Sequence, residues 1–149
     1  MSLREQITAD FKQAMLDHDE VRKTTLNGLK SAIRYKEVEK GVGAELDDTE
    51  IEAVVASQVK SRNDSIVIYE QSGETERANK ERAERDILMT YLPKQLTDDE
   101  LKAKVAAIIE QGGFTQADFG KIMGKAKAEI GNAAEGGAIA AAVKGYFAK

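Results

Sequence analysis

Apolar side chains recur every three or four residues along most of the chain, which is the spacing of amphipathic helices. Up to residue 93 the pattern is broken at three turns, Asp17–Asp19, Gly41–Gly43 and Ser72–Gly73. The pattern predicts four helices in this part of the chain. They are a helix capped by Ser2 with Glu5 whose apolar stripe runs to Met15, a helix over about residues 21–40, a helix capped by Asp47 or Asp48, and a helix from near Thr75 to Tyr91.

Pro93 marks the boundary to a second helical segment, because the residue before a proline is displaced from the α region. Three shorter helices are predicted beyond it. Their signals are a capping box of Thr97 and Glu100, a second start signal of Thr115 and Asp118 with an end at Ile130, and an apolar stripe of Ile139, Val143 and Phe147. No alternating strand pattern competes. We therefore predict an all-α protein with a four-helix region over 1–93 and a small three-helix domain over 94–149.

The composition removes several classes of enzyme. The 149 residues include no cysteine and one histidine, so thiol nucleophiles, thiolate zinc sites, iron–sulfur clusters and histidine-rich metal sites are excluded. His18 falls in a turn, where an exposed side chain is expected. The clustered acids of 47–52 and 98–100 lie at predicted helix starts, where carboxylates cap free amides. We predict no catalytic residue, no metal and no cofactor.

Charge and hydropathy constrain the partners. Residues 1–93 hold 14 Lys and Arg against 19 Asp and Glu, a net charge of −5, whereas residues 94–149 hold 8 against 7, a net charge of +1. An acidic total argues against indiscriminate nucleic-acid binding, so DNA is not an expected partner. No apolar run approaches the roughly 20 residues that span a bilayer, and the first residues lack a secretion signal. A cytoplasmic protein without a membrane partner is therefore expected.

Several stretches resemble the YqeY family, and together they cover nearly the whole chain. They are Leu29-Lys30-Ser31-Ala32-Ile33, Tyr35-Lys36-Glu37-Val38-Glu39-Lys40-Gly41, Gln58-Val59-Lys60-Ser61-Arg62-Asn63-Asp64-Ser65-Ile66, Tyr91-Leu92-Pro93 and Asp118-Phe119-Gly120-Lys121-Ile122-Met123-Gly124. None is a catalytic signature. The resemblance implies a helical bundle with a small C-terminal helical domain. It also implies kinship with the tail of the GatB subunit of the tRNA-dependent amidotransferase, which resembles a tRNA-binding appendage.

The chain departs from the family in one turn. Family members tend to carry a Gly-Arg-Ala-Asp-Gly-like turn between the last two helices, whereas this chain reads Gly131-Asn132-Ala133-Ala134-Glu135-Gly136. Because the arginine is absent here, we assign no site residue to this turn.

A basic row runs along the second helix. Lys23, Asn27, Lys30 and Arg34 step by four, three and four residues, which gathers them beside the apolar stripe of the helix. Such a row suits phosphate binding. The alternative is a solvated flank whose cations pair with Glu37 or with acids on the next helix. Arg62 is a separate case, because it lies on an apolar stripe and is expected to form a structural ion pair with Glu81 or Glu84.

Glycines form a second unusual row, on the sixth helix. The apolar arc of this helix is predicted to comprise Phe119, Ile122, Met123, Ala126 and Ile130. A separate row holds Gly120, Gly124, Lys127 and Gly131. Glycine inside a helix costs about 1 kcal/mol relative to alanine, so a close approach to the backbone is expected there. The flanking Lys121, Lys125 and Lys127 favour an RNA backbone, and the alternative is close docking of the helix on the N-terminal bundle or on a second chain.

These observations lead to a functional hypothesis with two rivals. The chain is interpreted as an accessory protein that binds tRNA, or a tRNA-handling enzyme such as an amidotransferase or an aminoacyl-tRNA synthetase, without chemistry of its own. One rival is participation in glutamine-dependent amide transfer onto misacylated tRNA, as a carbon–nitrogen ligase. That rival is weakened because no amidase-type nucleophile set and no phosphate-cradling glycine loop is present. The other rival is a protein-interaction module without an RNA role.

Overall fold

The fold is all-α, as predicted. A computed structural model of the chain describes residues 1–148, and these residues form helices and turns with no β-strand. The helices are α1 (Leu3–Leu16), α2 (Glu20–Lys40), α3 (Asp48–Gln71), α4 (Thr75–Met89), α5 (Asp98–Gly112), α6 (Phe119–Ile130) and α7 (Gly136–Phe147). Short 3₁₀ turns at Gln116–Asp118 and Gly131–Ala133 flank α6.

The capping signals read from the sequence are present in the structure. Ser2 with Glu5, Asp47 with Glu50, and Thr97 with Glu100 each form a reciprocal capping box. At the second start signal the Thr115 N–H donates to Oδ2 of Asp118 at 2.9 Å, and the Asp118 N–H donates to the Thr115 carbonyl. A 3₁₀ turn over Gln116–Asp118 precedes α6, so the α-helix begins later than this signal predicts. His18 lies in the turn between α1 and α2, is exposed, and adopts a left-handed backbone with φ of 56°. His18 is thus an exposed turn residue, as expected.

Contacts within the chain divide it into two compact units, Met1–Leu92 and the part that begins at Pro93. Each unit has its own apolar core, described separately below.

The N-terminal unit packs α1 to α4 around one apolar core. The buried members are Ile7, Leu26, Leu29, Ile33, Ile51, Val54, Val55, Val59, Leu88 and Tyr91. Tyr91 also ties the end of the unit to its start, because its hydroxyl donates a hydrogen bond of 2.6 Å to Oδ2 of Asp10. Burial and the neighbouring Asp10 carboxylate raise the pKa of Tyr91, so the phenol stays a donor at neutral pH.

The C-terminal unit packs α5, α6 and α7 around a second core. Its buried members are Leu101, Val105, Ile108, Ile109, Ile122, Ala126, Ile130, Ile139 and Val143. The segment that leads into α5 is fixed to the turn after α6 by two hydrogen bonds of 2.9 Å, from the Leu96 N–H to the Ala133 carbonyl and from the Gln95 amide to the Asn132 carbonyl.

Two residues assigned to apolar faces are less buried than the pattern predicts. Met15 is 46% exposed because it lies in the last turn of α1, beside the exposed turn at His18. Phe119 is 36% exposed because it is the first residue of α6, and the Lys144 ammonium lies 5.8 Å from the centre of its ring.

Arg62 forms the ion pair that its position on an apolar stripe predicts, and the partner is Glu84. Its Nε lies 3.4 Å from Oε2 of Glu84, and the two side chains are only 17% and 14% exposed. Nη1 donates to the side-chain oxygen of Gln58 at 2.8 Å. The Nε–H itself finds no acceptor with hydrogen-bond geometry among the described residues, so the guanidinium depends on the charge of Glu84.

Replacing Arg62 with alanine is expected to lower the free energy of unfolding by about 2 kcal/mol, because it leaves the Glu84 carboxylate largely buried without its cation. Urea denaturation of R62A measures this loss. Lys60→Ala, which removes an exposed ion pair with Asp64 on the same helix, is the matched control and should change stability by less than about 0.5 kcal/mol. Equal stability of R62A and the parent would contradict a structural role for the pair.

Candidate nucleic-acid interface

Helix α6 has one face fixed by the core of the C-terminal unit. Ile122 and Ala126 are fully buried, and Ile130 is 6% exposed. These residues follow one another at helical spacing, so their burial fixes the rotation of α6 about its axis. The remaining faces of α6 therefore point away from the core of the unit.

Gly120 and Gly124 lie on such an outward face. Both are exposed, and a methyl group built on either Cα meets no atom within 4 Å. The space around α6 thus accepts a side chain at both positions, and packing among the described residues does not require glycine at either. Gly131, the last member of the predicted row, has a different reason to be glycine, because it ends α6 with φ of +58°.

The lysines of α6 line this open backbone. Lys121, Lys125 and Lys127 are exposed, and no carboxylate holds them: the ion pairs within 4.0 Å resolved among residues 1–148 all join side chains of residues 1–92. The structure therefore brings together the five α6 residues that the sequence singles out. They form an outward face that we call the α6 face, comprising Gly120, Lys121, Gly124, Lys125 and Lys127.

The basic row of α2 is less uniform than its spacing suggests. Lys23 pairs with Glu20 at 3.3 Å within the same helix. The Lys30 ammonium lies 4.6 Å from the centre of the Phe11 ring, and Arg34 is exposed beside Glu37. Each cation thus has a different environment, and contact of this row with phosphate stays a prediction.

Glu37 organises the surroundings of Arg34, and the sequence did not single it out as a site residue. Its Oε2 accepts hydrogen bonds from Nη2 of Arg4 and, at 3.0 Å, from the Leu46 N–H. The Leu46 amide lowers the pKa of Glu37, and Arg4 and Arg34 lower it further against the effect of burial. Arg4 is 33 residues from Glu37 in the chain, so no local pattern predicts the pair.

Members of both acidic clusters take part in helix caps, as predicted. Asp47 and Glu50 cap α3, and Glu100 completes the capping box of α5, where the Thr97 backbone lowers its pKa. Among residues 1–148 no three acidic or histidine side chains are grouped closely enough to hold a metal ion. Within the same residues, no helix combines the length and the hydropathy that crossing a membrane requires.

These features define a small all-α protein of two helical units that carries an exposed, lysine-flanked helix. Comparison with known families gives a more specific assignment. A family model described as "Yqey-like protein" matches residues 4–147, so the chain belongs to the YqeY family, as its motifs indicate.

Curated relatives with significant similarity are yeast proteins named "Altered inheritance of mitochondria protein 41, mitochondrial". The protein of Lachancea thermotolerans is 30% identical over 68% of this chain and 55% of its own length. That of Kluyveromyces lactis is 34% identical over 67% and 55%, and that of Vanderwaltozyma polyspora is 26% identical over 80% and 71%. The chain therefore spans little more than half the length of two of these relatives.

The expectation of a cytoplasmic location is contradicted by these names, each of which describes its protein as mitochondrial. The expectation rested on the lack of a bilayer-length apolar run and of a secretion signal. These two properties do not distinguish the compartments, because a mitochondrial protein can have both.

Glu37→Gln is expected to make unfolding at neutral pH easier by about 1 kcal/mol, because a neutral amide binds Arg4 and the Leu46 N–H less strongly than a carboxylate does. The folded-state pKa of Glu37 is lowered, so its contribution is complete above the ordinary glutamate pKa of about 4.3 and is lost as pH falls through and below that value. Urea denaturation at pH 7, 5, 4 and 3 should show parent and variant converging towards the acid end.

Glu39→Gln, two residues away in an exposed pair with Lys36, is the control for loss of one carboxylate. A stability difference between parent and E37Q that stays constant from pH 7 to pH 3 would contradict the assignment.

Proposed function

We propose that this protein binds tRNA through the α6 face and acts without chemistry of its own. The observation that carries the proposal is the combination of an accessible helix backbone at Gly120 and Gly124 with three exposed lysines that form no ion pair among residues 1–148. A phosphodiester chain fits such a surface, because it brings negative charge and needs close approach.

The chain belongs to the YqeY family, and the resemblance of this family to the tail of GatB supports the same proposal. The negative net charge of the chain does not argue against tRNA binding, because affinity depends on the local charge of the surface that faces the ligand. The C-terminal unit carries lysines in excess of acids by one over residues 94–149, whereas residues 1–93 are acidic.

The alternative partner is a tRNA-handling enzyme, such as an amidotransferase or an aminoacyl-tRNA synthetase. Docking on a protein would rely on apolar surface, and one feature favours it. A cleft of about 580 Å³ lies between α5 and α7, with Ala138, Ala142 and Tyr146 among its lining residues. Salt separates the two modes, since counterion release makes phosphate binding strongly salt-dependent and apolar docking is not.

We expect the affinity of the full chain for tRNA to fall steeply as the salt concentration rises. Fluorescence anisotropy at 50 and 200 mM salt measures this change. Replacing Lys121, Lys125 and Lys127 together with glutamine should lower the affinity at low salt. It should also flatten the slope of log K against log salt by about 0.7 to 0.9 for each phosphate contact that is lost.

The matched control removes three exposed lysines of the same unit, Lys94, Lys102 and Lys104, and should leave the slope close to that of the parent. Two results count against the proposal: no tRNA binding at low salt, or an equal slope change in the two triple variants.

A further inference from the structure

A small cleft between α1 and α2 has the composition of an anion site. It measures about 110 Å³ and lies entirely in the N-terminal unit. Its lining residues are Arg4, Ile7, Thr8, Lys30, Ile33, Arg34 and Glu37. Three of these carry a positive charge and one a negative charge, so the lining has a net charge of +2 inside a unit whose total is acidic.

Lys30 is held in place without using its hydrogen-bond donors. Its ammonium lies 4.6 Å from the centre of the Phe11 ring, an arrangement that attracts the charge through the face of the ring. A cation–π contact consumes no N–H group, so the three ammonium donors remain available to a ligand. Phe11 thus holds the ammonium of a residue that lines the cleft and leaves its donors unused.

Glu37 fixes Arg4 and does not cancel the charge of the cleft. Oε2 of Glu37 accepts hydrogen bonds from both Arg4 and the Leu46 N–H, so this oxygen is engaged by two protein donors. Arg34 contributes a further guanidinium at the rim, with its planar set of donors suited to phosphate. After the Arg4–Glu37 pair is counted as neutral, Lys30 and Arg34 leave two positive charges.

The cleft also has an apolar floor, and its size limits the ligand. Ile7 and Ile33 are only 1% and 4% exposed, so the apolar part of the lining belongs to the core of the unit and the cations provide its polar part. A volume of 110 Å³ corresponds to a few water molecules of about 30 Å³ each. That space matches one phosphate group and is too small for a whole nucleotide.

We propose that this cleft binds a single phosphomonoester group, the doubly charged form of phosphate that ends a chain or a small metabolite. The two surplus cations match its two charges, and the Thr8 hydroxyl adds a neutral donor beside them. Lys23 takes no part, because it lies seven residues, or about 10 Å, along α2 from Lys30 and pairs with Glu20. The site is separate from the α6 face and does not depend on it.

The test is a titration of the full chain with inorganic phosphate, followed by amide NMR at constant ionic strength. Saturable shifts are expected for backbone amides of residues 4–8 and 30–37. The double variant K30Q/R34Q should weaken phosphate binding at least tenfold. The control K60Q/K80Q, which removes two exposed lysines outside the cleft, should bind phosphate as the parent does.

Shifts that grow linearly without saturation, or equal binding by K30Q/R34Q and the parent, would overturn the proposal. Because Lys30 is partly buried against Phe11, the single variant R34Q, at an exposed position, provides the same test if the double variant does not fold. The α6 variant K121Q/K125Q/K127Q should keep its phosphate binding, so failure of the tRNA proposal leaves this result interpretable.

A second arm identifies the source of the phosphate. One outcome is that 5′-phosphorylated tRNA binds more tightly than the same tRNA after phosphatase treatment. If K30Q/R34Q abolishes this difference, the ligand of the cleft is an RNA terminus. Equal binding of the two tRNAs, together with saturable binding of a nucleoside 5′-monophosphate at the cleft, assigns it to a small phosphorylated molecule.

Discussion

The packing of Ile122, Ala126 and Ile130 into the core of the C-terminal unit is the interaction on which the functional account depends. It fixes the rotation of α6, and that rotation decides which side chains and which backbone atoms are presented outward. Helix propensity contributes little to the stability of α6, because Gly120 and Gly124 weaken it as an isolated helix. The buried stripe therefore has to stabilise a helix that leaves part of its backbone uncovered.

The two units use charge in opposite ways. In the N-terminal unit most arginines and lysines are paired with carboxylates, from the exposed pair of Lys60 with Asp64 to the largely buried pair of Arg62 with Glu84. In the C-terminal unit the lysines of α6 have no such partners among the described residues. An acidic protein can thus present a local basic surface. At the cleft lined by Lys30 and Arg34, positive charge exceeds negative charge locally even in the acidic unit.

The sequence predicts what is encoded within one or two helical turns. Capping boxes, glycine ends and apolar stripes locate the seven helices found within residues 1–148, and they also place Gly120 and Gly124 away from the local core. The sequence predicts two candidate partners for Arg62, both glutamates of α4, because α4 follows α3 directly. The packing of the two helices shows that the partner is Glu84.

Local sequence patterns do not predict contacts between distant parts of the chain. The Arg4–Glu37 pair, the hydrogen bond from Tyr91 to Asp10, and the cation–π contact of Lys30 with Phe11 all depend on how helices pack. For this reason the basic row of α2, uniform in sequence, has three different environments in the structure. The exposure of Met15 and Phe119 has a related cause, since a helical stripe does not reveal how far the core extends along a helix.

The most direct test of the account is a paired measurement of stability and tRNA affinity on the variant G120A/G124A. A methyl group meets open space at both positions, so the account predicts a higher free energy of unfolding, by up to about 1 kcal/mol per site, together with weaker tRNA binding because the methyl groups block approach to the backbone. Gly28→Ala, an equally open glycine within α2, should stabilise the protein without changing tRNA affinity. A stabilised G120A/G124A that binds tRNA as tightly as the parent would contradict the central claim.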